Sequence, residues 1–298
     1  MLNFELPKTS GELLFNEPLK NLVFFGVGGN ADVLFQPANS DDLSAFLKSL
    51  DSSIPVTILG AGSNVLIRDG GIRGVVISLG EAFDKCYVEN DIIEAGAYSR
   101  VAKISMLAAD NSLAGLEFLV GIPGTIGGAL KMNAGCYGRS IEDIFIEAEG
   151  FSRKGENIWL TKKDLKFVYR SSSIRDDIIV TRIWLKGVPD SSFKIAKNTH
   201  DTLMKRKKSQ PLNEMSCGST FKNPECTTKK AWELIHDAGC RGMRFGGAMV
   251  SDVHCNFIIN TGSATAKDIE QLGNAVVQKV YENSGIELEW EVIKLGEE

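Results

Sequence analysis

Two short segments of this chain carry residue types whose spacing suits chemistry at a carboxylate or a carbanion. Arg170 stands among hydroxyls in Tyr169-Arg-Ser-Ser-Ser173, and its planar guanidinium can bind a carboxylate through two parallel hydrogen bonds. Ser219 follows a glycine in Cys217-Gly-Ser-Thr-Phe-Lys-Asn-Pro224, where its hydroxyl is sterically open. A serine so placed can protonate a strongly basic carbanion. For Arg170, the alternative is an ordinary solvated arginine.

Acidic side chains near the end of the chain form a further group of candidates. Ile286-Glu-Leu-Glu-Trp-Glu-Val292 alternates strictly, which predicts a strand with four apolar residues on one face and three glutamates on the other. Glu287, Glu289 and Glu291 form either a solvated edge or one side of a site. The alternation does not distinguish among them.

Two glycine-rich loops could hold a ligand against the backbone. They are Gly60-Ala-Gly-Ser-Asn64 and Gly121-Ile-Pro-Gly-Thr-Ile-Gly-Gly-Ala129. Glycine permits close approach of a backbone to a ligand, and successive N–H groups can form an anion-binding concavity. Two such loops suggest a long ligand with several phosphate or carbonyl groups. Tight connections between packed elements are the alternative.

Other nucleotide-binding and catalytic motifs fail on their context. Gly26-Val-Gly-Gly-Asn-Ala31 matches the dinucleotide fingerprint, but strand-like Asp32-Val-Leu-Phe35 and then Pro37 follow it, where the fingerprint requires a helix. We therefore reject a Rossmann fold. The chain has neither a P-loop motif nor a G-x-S-x-G elbow. Its six cysteines and three histidines lack zinc-site spacing, which predicts free thiols and no metal.

Composition excludes several classes of protein. The chain has 298 residues, of which 43% are hydrophobic and 24% charged, as in an ordinary globular protein. Its net charge of −5 argues against general affinity for nucleic acid. No apolar run approaches the roughly 20 residues that span a bilayer. Residues 1–7 lack the basic start and apolar core of a signal peptide, so we expect a cytoplasmic protein.

The elements that position these residues indicate an α+β chain with two or three interlocked domains. Apolar spacing predicts a helix near residues 40–50 with Ser40 as its N-cap, and a helix that begins after Ser99. A basic helix ends in Lys205-Arg-Lys-Lys208, and Thr265 caps a long final helix. Strands are predicted at residues 54–59, 65–67, 75–79, 88–95, 144–148, 157–160, 178–184 and 286–292.

Taken in order, the motifs resemble the UDP-N-acetylenolpyruvoylglucosamine reductase family. The similarity covers nearly the whole chain, and the matching runs are Val27-Gly-Gly29, Gly60-Ala-Gly-Ser-Asn64, Gly121-Ile-Pro-Gly-Thr-Ile-Gly-Gly-Ala129, Tyr169-Arg-Ser171, Gly218-Ser-Thr-Phe-Lys-Asn-Pro224, Gly246-Gly-Ala-Met-Val-Ser251 and Glu291-Val292. Ordered motifs of this number are far more specific than a single glycine loop. The length is similar to that of the shorter, type II form of the family, which lacks a substrate-closing loop.

The resemblance implies an α+β fold with a two-part FAD-binding domain of the vanillyl-alcohol-oxidase type. Its parts would be residues 1–80 and 81–190, and residues 191–298 would form an α+β substrate-binding domain. The implied enzyme is an oxidoreductase of peptidoglycan precursor synthesis, and hence of cell-wall biogenesis, with non-covalent FAD. With NADPH as reductant, it would convert UDP-N-acetylglucosamine enolpyruvate to UDP-N-acetylmuramate. We expect a monomer without nucleic-acid, membrane or metal partners.

The resemblance also implies roles for single residues. Arg170 corresponds to the active-site arginine, Ser219 to the proton donor and Glu291 to the catalytic glutamate before a valine, so Arg170 and Glu291 would stabilise an enolate. The implied FAD contacts are Gly60, Ala61, Gly62, Ser63, Asn64, Gly121, Pro123, Gly124, Thr125, Gly127, Gly128 and Ala129. The candidate substrate contacts are Lys207, Lys208, Gln210, Lys222, Asn223 and Asn256.

Two other functions are compatible with some of these motifs. One is a flavoprotein oxidase of the same fold that acts on a small alcohol or sugar. Many such oxidases attach flavin through histidine, whereas His200, His236 and His254 lie outside both glycine loops. The other rival is a catalytically silent FAD-binding protein, against which the set of Arg170, Ser219 and Glu291 argues.

Overall fold

A computed structural model describes residues 4–298, whose contacts divide the chain into two units that are each interrupted in sequence. The first unit comprises residues 4–15, Val33–Ala61 and Gly74–Arg206, and the second comprises Asn16–Asp32, Gly62–Arg73 and Lys207–Glu298. Residues 1–3, where the segment examined for a signal peptide begins, lie outside the described residues. The three contiguous domains expected from the resemblance stay a prediction.

The helices predicted near residues 40–50, after Ser99, up to Lys208 and after Thr265 form, although two of their caps differ. A short helix also begins at residue 126, within the second glycine-rich stretch, which was predicted only as a loop. In the described part of the chain the α-helices are α1 (Ser40–Ser49), α2 (Val101–Asp110), α3 (Ile126–Lys131), α4 (Ser192–Ser209), α5 (Ala231–Asp237) and α6 (Ala266–Ser284). Asn39, not Ser40, caps α1 by accepting the Asp42 N–H, and Arg100 rather than Ser99 precedes α2. Thr265 caps α6 as predicted. Among residues 4–298 no helix is long and apolar enough to cross a membrane.

The strands near residues 144–148, 157–160 and 178–184 extend beyond their predicted runs, whereas that near residues 54–59 is shorter than its run. The strands are β1 (Glu12–Pro18), β2 (Asn30–Gln36), β3 (Val56–Ile58), β4 (Val65–Ile67), β5 (Ile72–Ile77), β6 (Cys86–Glu89), β7 (Ile92–Gly96), β8 (Leu113–Ala114), β9 (Gly135–Cys136), β10 (Arg139–Ser140), β11 (Phe145–Ser152), β12 (Asn157–Thr161), β13 (Phe167–Val168), β14 (Ser171–Ser172), β15 (Ile178–Lys186), β16 (Val188–Pro189), β17 (Arg244–Phe245), β18 (Ala248–Val250), β19 (Ile258–Asn260) and β20 (Ile293–Leu295). The single strand predicted at residues 88–95 is wrong. A hairpin turns there at Asn90, whose φ of 55° lies in the left-handed region that asparagine tolerates.

The first unit has two apolar cores. An antiparallel sheet of order β12-β11-β15-β7-β6 packs one face against α2 and α3, where Ile183 lies in a cluster with Ile104 and Ile126. A second core surrounds α1, in which Phe46 stacks on Phe35 with ring centroids 4.0 Å apart. There β3 and β5 pair in parallel within the sheet order β1-β2-β5-β3.

In the second unit α6 packs against the antiparallel sheet β17-β18-β19 and α5 packs against α6, around one apolar core. Its β20 pairs in parallel with β4, so that Ile293 lies beside Val65. The strand predicted at residues 286–292 is wrong, because β20 begins only at residue 293 and within the predicted run Trp290 alone forms an isolated antiparallel bridge, with Phe221. Leu288 is nevertheless buried between the exposed Glu287 and Glu289, as the predicted alternation requires.

Ion pairs in the second unit connect α6 with β20 and with Arg68, the residue that follows β4. The Glu270 carboxylate on α6 accepts hydrogen bonds from Arg68 at 2.9 and 3.0 Å and lies 2.9 Å from the Lys294 ammonium. These two cations lower the pKa of Glu270 to about 2, with the Arg68 hydrogen bonds as the largest cause. The segment that carries Glu291 leads directly into β20, and this network therefore anchors it.

We expect Glu270→Gln to lower the free energy of unfolding at pH 7 by about 1–3 kcal/mol. A carboxyl whose folded-state pKa is depressed contributes stability above its unfolded-state pKa, here near 4.5, and loses this contribution as the pH falls towards 2. Urea unfolding from pH 7 to pH 3.5 should therefore show the wild type and the variant converging below pH 4.5. A stability difference that is independent of pH over this range would contradict the ion-pair argument.

Candidate functional site

The second glycine-rich loop is held in the first unit by its own backbone. The N–H groups of Ile126 and Gly127 donate to the carbonyls of Ser99 and Ala97, both at 2.9 Å. In the opposite direction, the Val101 N–H donates to the Gly124 carbonyl at 3.1 Å. Residues 97–101 thus support the loop through backbone hydrogen bonds, a role that was not predicted from the sequence.

Gly60 and Thr125 bring parts of the two glycine loops together in the first unit. A Cβ atom at Gly60 would lie 2.8 Å from the Thr125 Oγ1 atom, closer than real Cβ contacts. Gly128 is exposed at the start of α3, and its Cβ position meets nothing nearer than the same Oγ1 atom at 3.5 Å. Any side chain there would project over the loop, which therefore fits a ligand lying against the backbone.

The other predicted cofactor contacts are distributed between the units. In the first unit, Pro123 is exposed, whereas Ala61, Gly121 and Ala129 are buried. In the second unit, Gly62 is buried, and Ser63 and Asn64 are half-buried.

Arg206 supports the loop from α4 and was missed in the sequence analysis. Its guanidinium donates a hydrogen bond to the Gly121 carbonyl, and burial lowers its pKa below the ordinary value for arginine. The neighbouring Lys207 and Lys208, which were predicted as substrate contacts, are exposed in the second unit. Arg206 follows Leu203 by three residues, so helical periodicity places both on the inward face of α4.

Arg170 lies in the two-residue turn of the hairpin formed by β13 and β14. Its φ of 58° is in the left-handed region, which costs a non-glycine residue about 1–2 kcal/mol. The guanidinium donates to the Gly135 carbonyl at 3.0 Å and lies 5.1 Å from the centre of the Tyr169 ring. A strained turn thus presents a side chain whose direction is fixed.

The hairpin is attached to the end of α3, the helix that follows the glycine loop. The Asn133 amide donates to the Val168 carbonyl at 3.0 Å, and the Ser172 hydroxyl donates to the Lys131 carbonyl at 2.9 Å. The same six-residue helix therefore connects the second glycine-rich loop at its start with the arginine-bearing hairpin at its end.

Ser219 lies in the second unit on a segment with a hydrogen-bonded neighbour on each side. The Thr220 N–H donates to the Asn256 carbonyl at 2.8 Å. Across the segment, the Glu291 N–H donates to the Thr220 carbonyl at 2.8 Å. The residue after the predicted proton donor is therefore bonded to the backbone of the predicted catalytic glutamate. Gly218, with a φ of 79°, turns the chain into this segment.

Burial distinguishes among the three glutamates that the alternation left equivalent. Glu287 and Glu289 are exposed, whereas Glu291 is half-buried. Its neighbour Trp290 is fixed against α6, since a Cβ atom at Gly273 would lie 2.2 Å from the indole ring. This packing sets the position of the Glu291 backbone.

Asn64, from the first glycine loop, also bonds this segment within the second unit. Its amide donates to the Glu291 carbonyl at 3.0 Å, and its own carbonyl accepts the Ile293 N–H at 3.0 Å. Nearby, burial raises the pKa of the Cys217 thiol to about 12, with the thiol donating to the Val65 carbonyl at 3.3 Å. Cys217 is thus an inert core residue and no nucleophile.

The remaining predicted substrate contacts have protein partners in the second unit. Lys222 forms an ion pair with Glu289, and the Asn223 side chain accepts the Ala231 N–H at the start of α5 at 3.0 Å. Asn256 is buried and bonds the Phe221 backbone, while Gln210 is half-buried. Within the described residues, no group of three His, Cys, Asp or Glu side chains could hold a metal ion.

Comparison with known proteins identifies the class. Residues 31–161 match the family model of an FAD binding domain, and residues 210–295 match that of the UDP-N-acetylenolpyruvoylglucosamine reductase C-terminal domain. These two domains define an FAD-dependent oxidoreductase. The expected α+β fold, with an FAD-binding domain followed by a C-terminal domain, is confirmed.

Relatives over the whole length define the family. The UDP-N-acetylenolpyruvoylglucosamine reductase of Parvibaculum lavamentivorans is 47% identical over 291 residues, covering 98% of this chain and 93% of the relative. That of a Bradyrhizobium species is 48% identical and covers 99% and 96%. The crystal structure of the Thermus caldophilus reductase is 33% identical, with a TM-score of 0.83 and coverage of 97% and 100%. The chain belongs to the UDP-N-acetylenolpyruvoylglucosamine reductase family, and the predicted resemblance is confirmed.

We expect Gly60→Ala to weaken FAD binding, because the new methyl group must displace Thr125 of the second glycine-rich loop. Overpacking of this kind costs about 1–3 kcal/mol, which corresponds to a roughly 5- to 150-fold higher dissociation constant. Flavin fluorescence during titration of the apoprotein measures it. The control is Gly239→Ala, which strains a backbone of φ 70° but has nothing within 4 Å of its Cβ position. Equal FAD affinity in the two variants would contradict the steric argument.

Proposed function

We propose that this enzyme reduces the enolpyruvyl group of UDP-N-acetylglucosamine enolpyruvate to the lactyl ether of UDP-N-acetylmuramate, a peptidoglycan precursor. NADPH supplies two electrons and one proton as a hydride equivalent, and the enzyme supplies the second proton. The substrate's methylene carbon becomes a methyl group, and its α-carbon gains the proton. The names of the full-length relatives support the substrate class.

The proposed mechanism rests on one hydrogen bond. The Thr220 carbonyl accepts the Glu291 N–H, so the segments that bear Ser219 and Glu291 run side by side. A hydroxyl donor and a half-buried carboxyl group on adjoining segments suit protonation of a carbon acid. Neither a silent flavin-binding protein nor an oxidase of small alcohols requires this pairing.

FAD bound along the two glycine loops supplies the hydride-transfer chemistry between NADPH and the substrate. Non-covalent binding agrees with the absence of histidine from both loops. Arg170 has the task of stabilising charge. Once the methylene carbon has gained a hydride, negative charge spreads from the α-carbon into the substrate carboxylate. A guanidinium fixed in advance by its turn stabilises this charge without reorganisation.

Ser219 protonates the α-carbon, and its rigid segment holds the hydroxyl in place. Glu291 assists in stabilising the enolate, in a protonated form or through a hydrogen-bonding partner, because an isolated carboxylate would repel the growing charge. Lys207, Lys208, Gln210, Lys222 and Asn223 form the proposed contacts to the UDP-sugar. All five lie in the second unit, as do Ser219 and Glu291.

The decisive test separates the two half-reactions under anaerobic conditions. We expect NADPH to bleach the oxidised flavin band, and UDP-N-acetylglucosamine enolpyruvate to restore it in the wild type. Ser219→Ala should still be reduced by NADPH, whereas its reoxidation by the substrate should be about 10²–10³-fold slower, because a preorganised donor is lost. Stopped-flow absorbance measures both steps.

Ser216→Ala provides the control, since Ser216 is a buried serine three residues before the proposed donor. It should retain both half-reactions. Failure of the substrate to reoxidise the wild-type flavin would exclude the proposed function. Unchanged reoxidation of Ser219→Ala would exclude Ser219 as the donor.

Arg170→Gly separates backbone strain from charge stabilisation. Glycine relieves the left-handed strain but adds disorder to the unfolded chain, so the free energy of unfolding should change by less than about 1 kcal/mol. Reoxidation by the substrate should nevertheless slow about 10²–10³-fold. Arg170→Lys retains the charge without the planar guanidinium and should be intermediate. Thermal unfolding and stopped-flow reoxidation check the two parts, and an active Arg170→Gly enzyme would contradict the assignment.

A further inference from the structure

Three separate groups of Asn256 form hydrogen bonds with Thr220 and Phe221, the two residues that follow Ser219. We call residues 219–221 the serine segment. Its carbonyl accepts the Thr220 N–H at 2.8 Å, its side-chain Oδ1 accepts the Phe221 N–H at 3.0 Å, and its Nδ2 donates to the Phe221 carbonyl at 2.8 Å. The residue is 4% exposed, and Thr220 and Phe221 are fully buried. These bonds therefore form away from competing water.

The two side-chain bonds require a carboxamide. Phe221 presents a peptide donor and a peptide acceptor, and a carboxamide matches both, as a neighbouring strand would. A carboxylate offers acceptors alone, so aspartate would leave the Phe221 carbonyl without its donor. Asn256 thus takes the place of a strand residue beside the serine segment.

Asn256 is itself held by a closed turn. Its N–H donates to Nδ1 of His254 at 3.2 Å, and the Ser251 hydroxyl accepts the Val253 N–H at 3.1 Å. The His254 ring packs against Phe257 with centroids 4.8 Å apart, and burial lowers the pKa of His254. The turn therefore fixes the position of the Asn256 carboxamide, and the carboxamide in turn fixes the position of the serine segment.

We propose that Asn256 is a positioning residue for proton delivery by Ser219, and not a contact for the UDP-sugar. This inference rests on the proposed function, because it assigns Asn256 a task in the protonation step. Its bonds reach the residue adjoining Ser219, and Thr220 in turn bonds Glu291. Misplacement of a reacting group by about 1 Å can cost about 10²-fold in rate.

Asn256→Asp tests this proposal, and Asn260→Asp provides a matched control. Asn260 is likewise 4% exposed in the second unit, and its carboxamide donates to the Phe25 carbonyl at 2.8 Å while accepting the Gly262 N–H at 2.8 Å. Both substitutions remove one buried donor of the same kind. Asn256 alone of the two has its side chain bonded to the serine segment.

In anaerobic stopped-flow experiments we expect Asn256→Asp to slow the limiting rate of flavin reoxidation about 10–100-fold. The rate of reduction by NADPH and the apparent dissociation constant of the enolpyruvyl substrate should stay within twofold of wild type. The solvent deuterium isotope effect on reoxidation should rise, because proton delivery becomes slower. Asn260→Asp should lose similar thermal stability and retain the wild-type reoxidation rate.

Several results would overturn the proposal. A weaker substrate dissociation constant with an unchanged limiting rate would make Asn256 a substrate contact. Equal slowing in both variants would indicate a general loss of structure. If Asn256→Asp does not fold, Thr220→Val tests the same segment, because it removes the hydroxyl that accepts the Ile258 N–H at 3.2 Å. Slower reoxidation with a larger isotope effect supports the proposal, and wild-type behaviour overturns it.

The wild-type control keeps this test distinct from that of the proposed function. If the substrate fails to reoxidise wild-type flavin, whether reduced by NADPH or by dithionite, the proposed function fails and the positioning role fails with it. If wild-type flavin is reoxidised and Asn256→Asp behaves like Asn260→Asp, only the positioning role fails.

Discussion

The second unit is organised around the buried peptide groups of Thr220 and Phe221. A buried N–H or carbonyl left without a partner costs about 1–3 kcal/mol, so this short segment needs neighbours on both sides. Its neighbours come from residues 256–258 and 289–292, far along the chain. The intervening sheet and α6 return the chain to the segment on each side. Because the same bonds fix Ser219 and Glu291, the proposed proton-delivery site forms only when this unit has folded.

The proposed task of the first unit is to hold a long cofactor while leaving the cofactor side of the loop open. Its second glycine loop is attached through peptide groups to residues 97–101, and the exposed Gly128 leaves the ligand side open. The loop contains no acid or base. Charge comes from Arg206 on a long helix and Arg170 on a strained hairpin. In the proposed mechanism the loop holds FAD, while side chains on other elements act on the substrate.

Periodicity predicted the elements well wherever an apolar face packs on a core. The helices α1 and α6 follow their spacing because burial of that face is what stabilises them. The choice between neighbouring residues for a helix cap or a turn was harder to predict. Asn39 and Ser40 are both good capping residues, and the structure chooses the asparagine through its bond to the Asp42 N–H. At residues 88–95, a left-handed asparagine divides an apolar run that alternation alone joins into one strand.

A site residue could be predicted from the sequence when its role depends on residues near it in the chain. Arg206 could have been assigned from the sequence, since its spacing from Leu203 places it on the buried face of a helix. Asn256 could not, because its partner Phe221 is 35 residues away and no period connects them. A polar residue near a motif is easily interpreted as a ligand contact, whereas buried backbone groups need the same donors and acceptors as a substrate does. The side-chain type shows that a polar partner is required, and only the fold shows which partner it has.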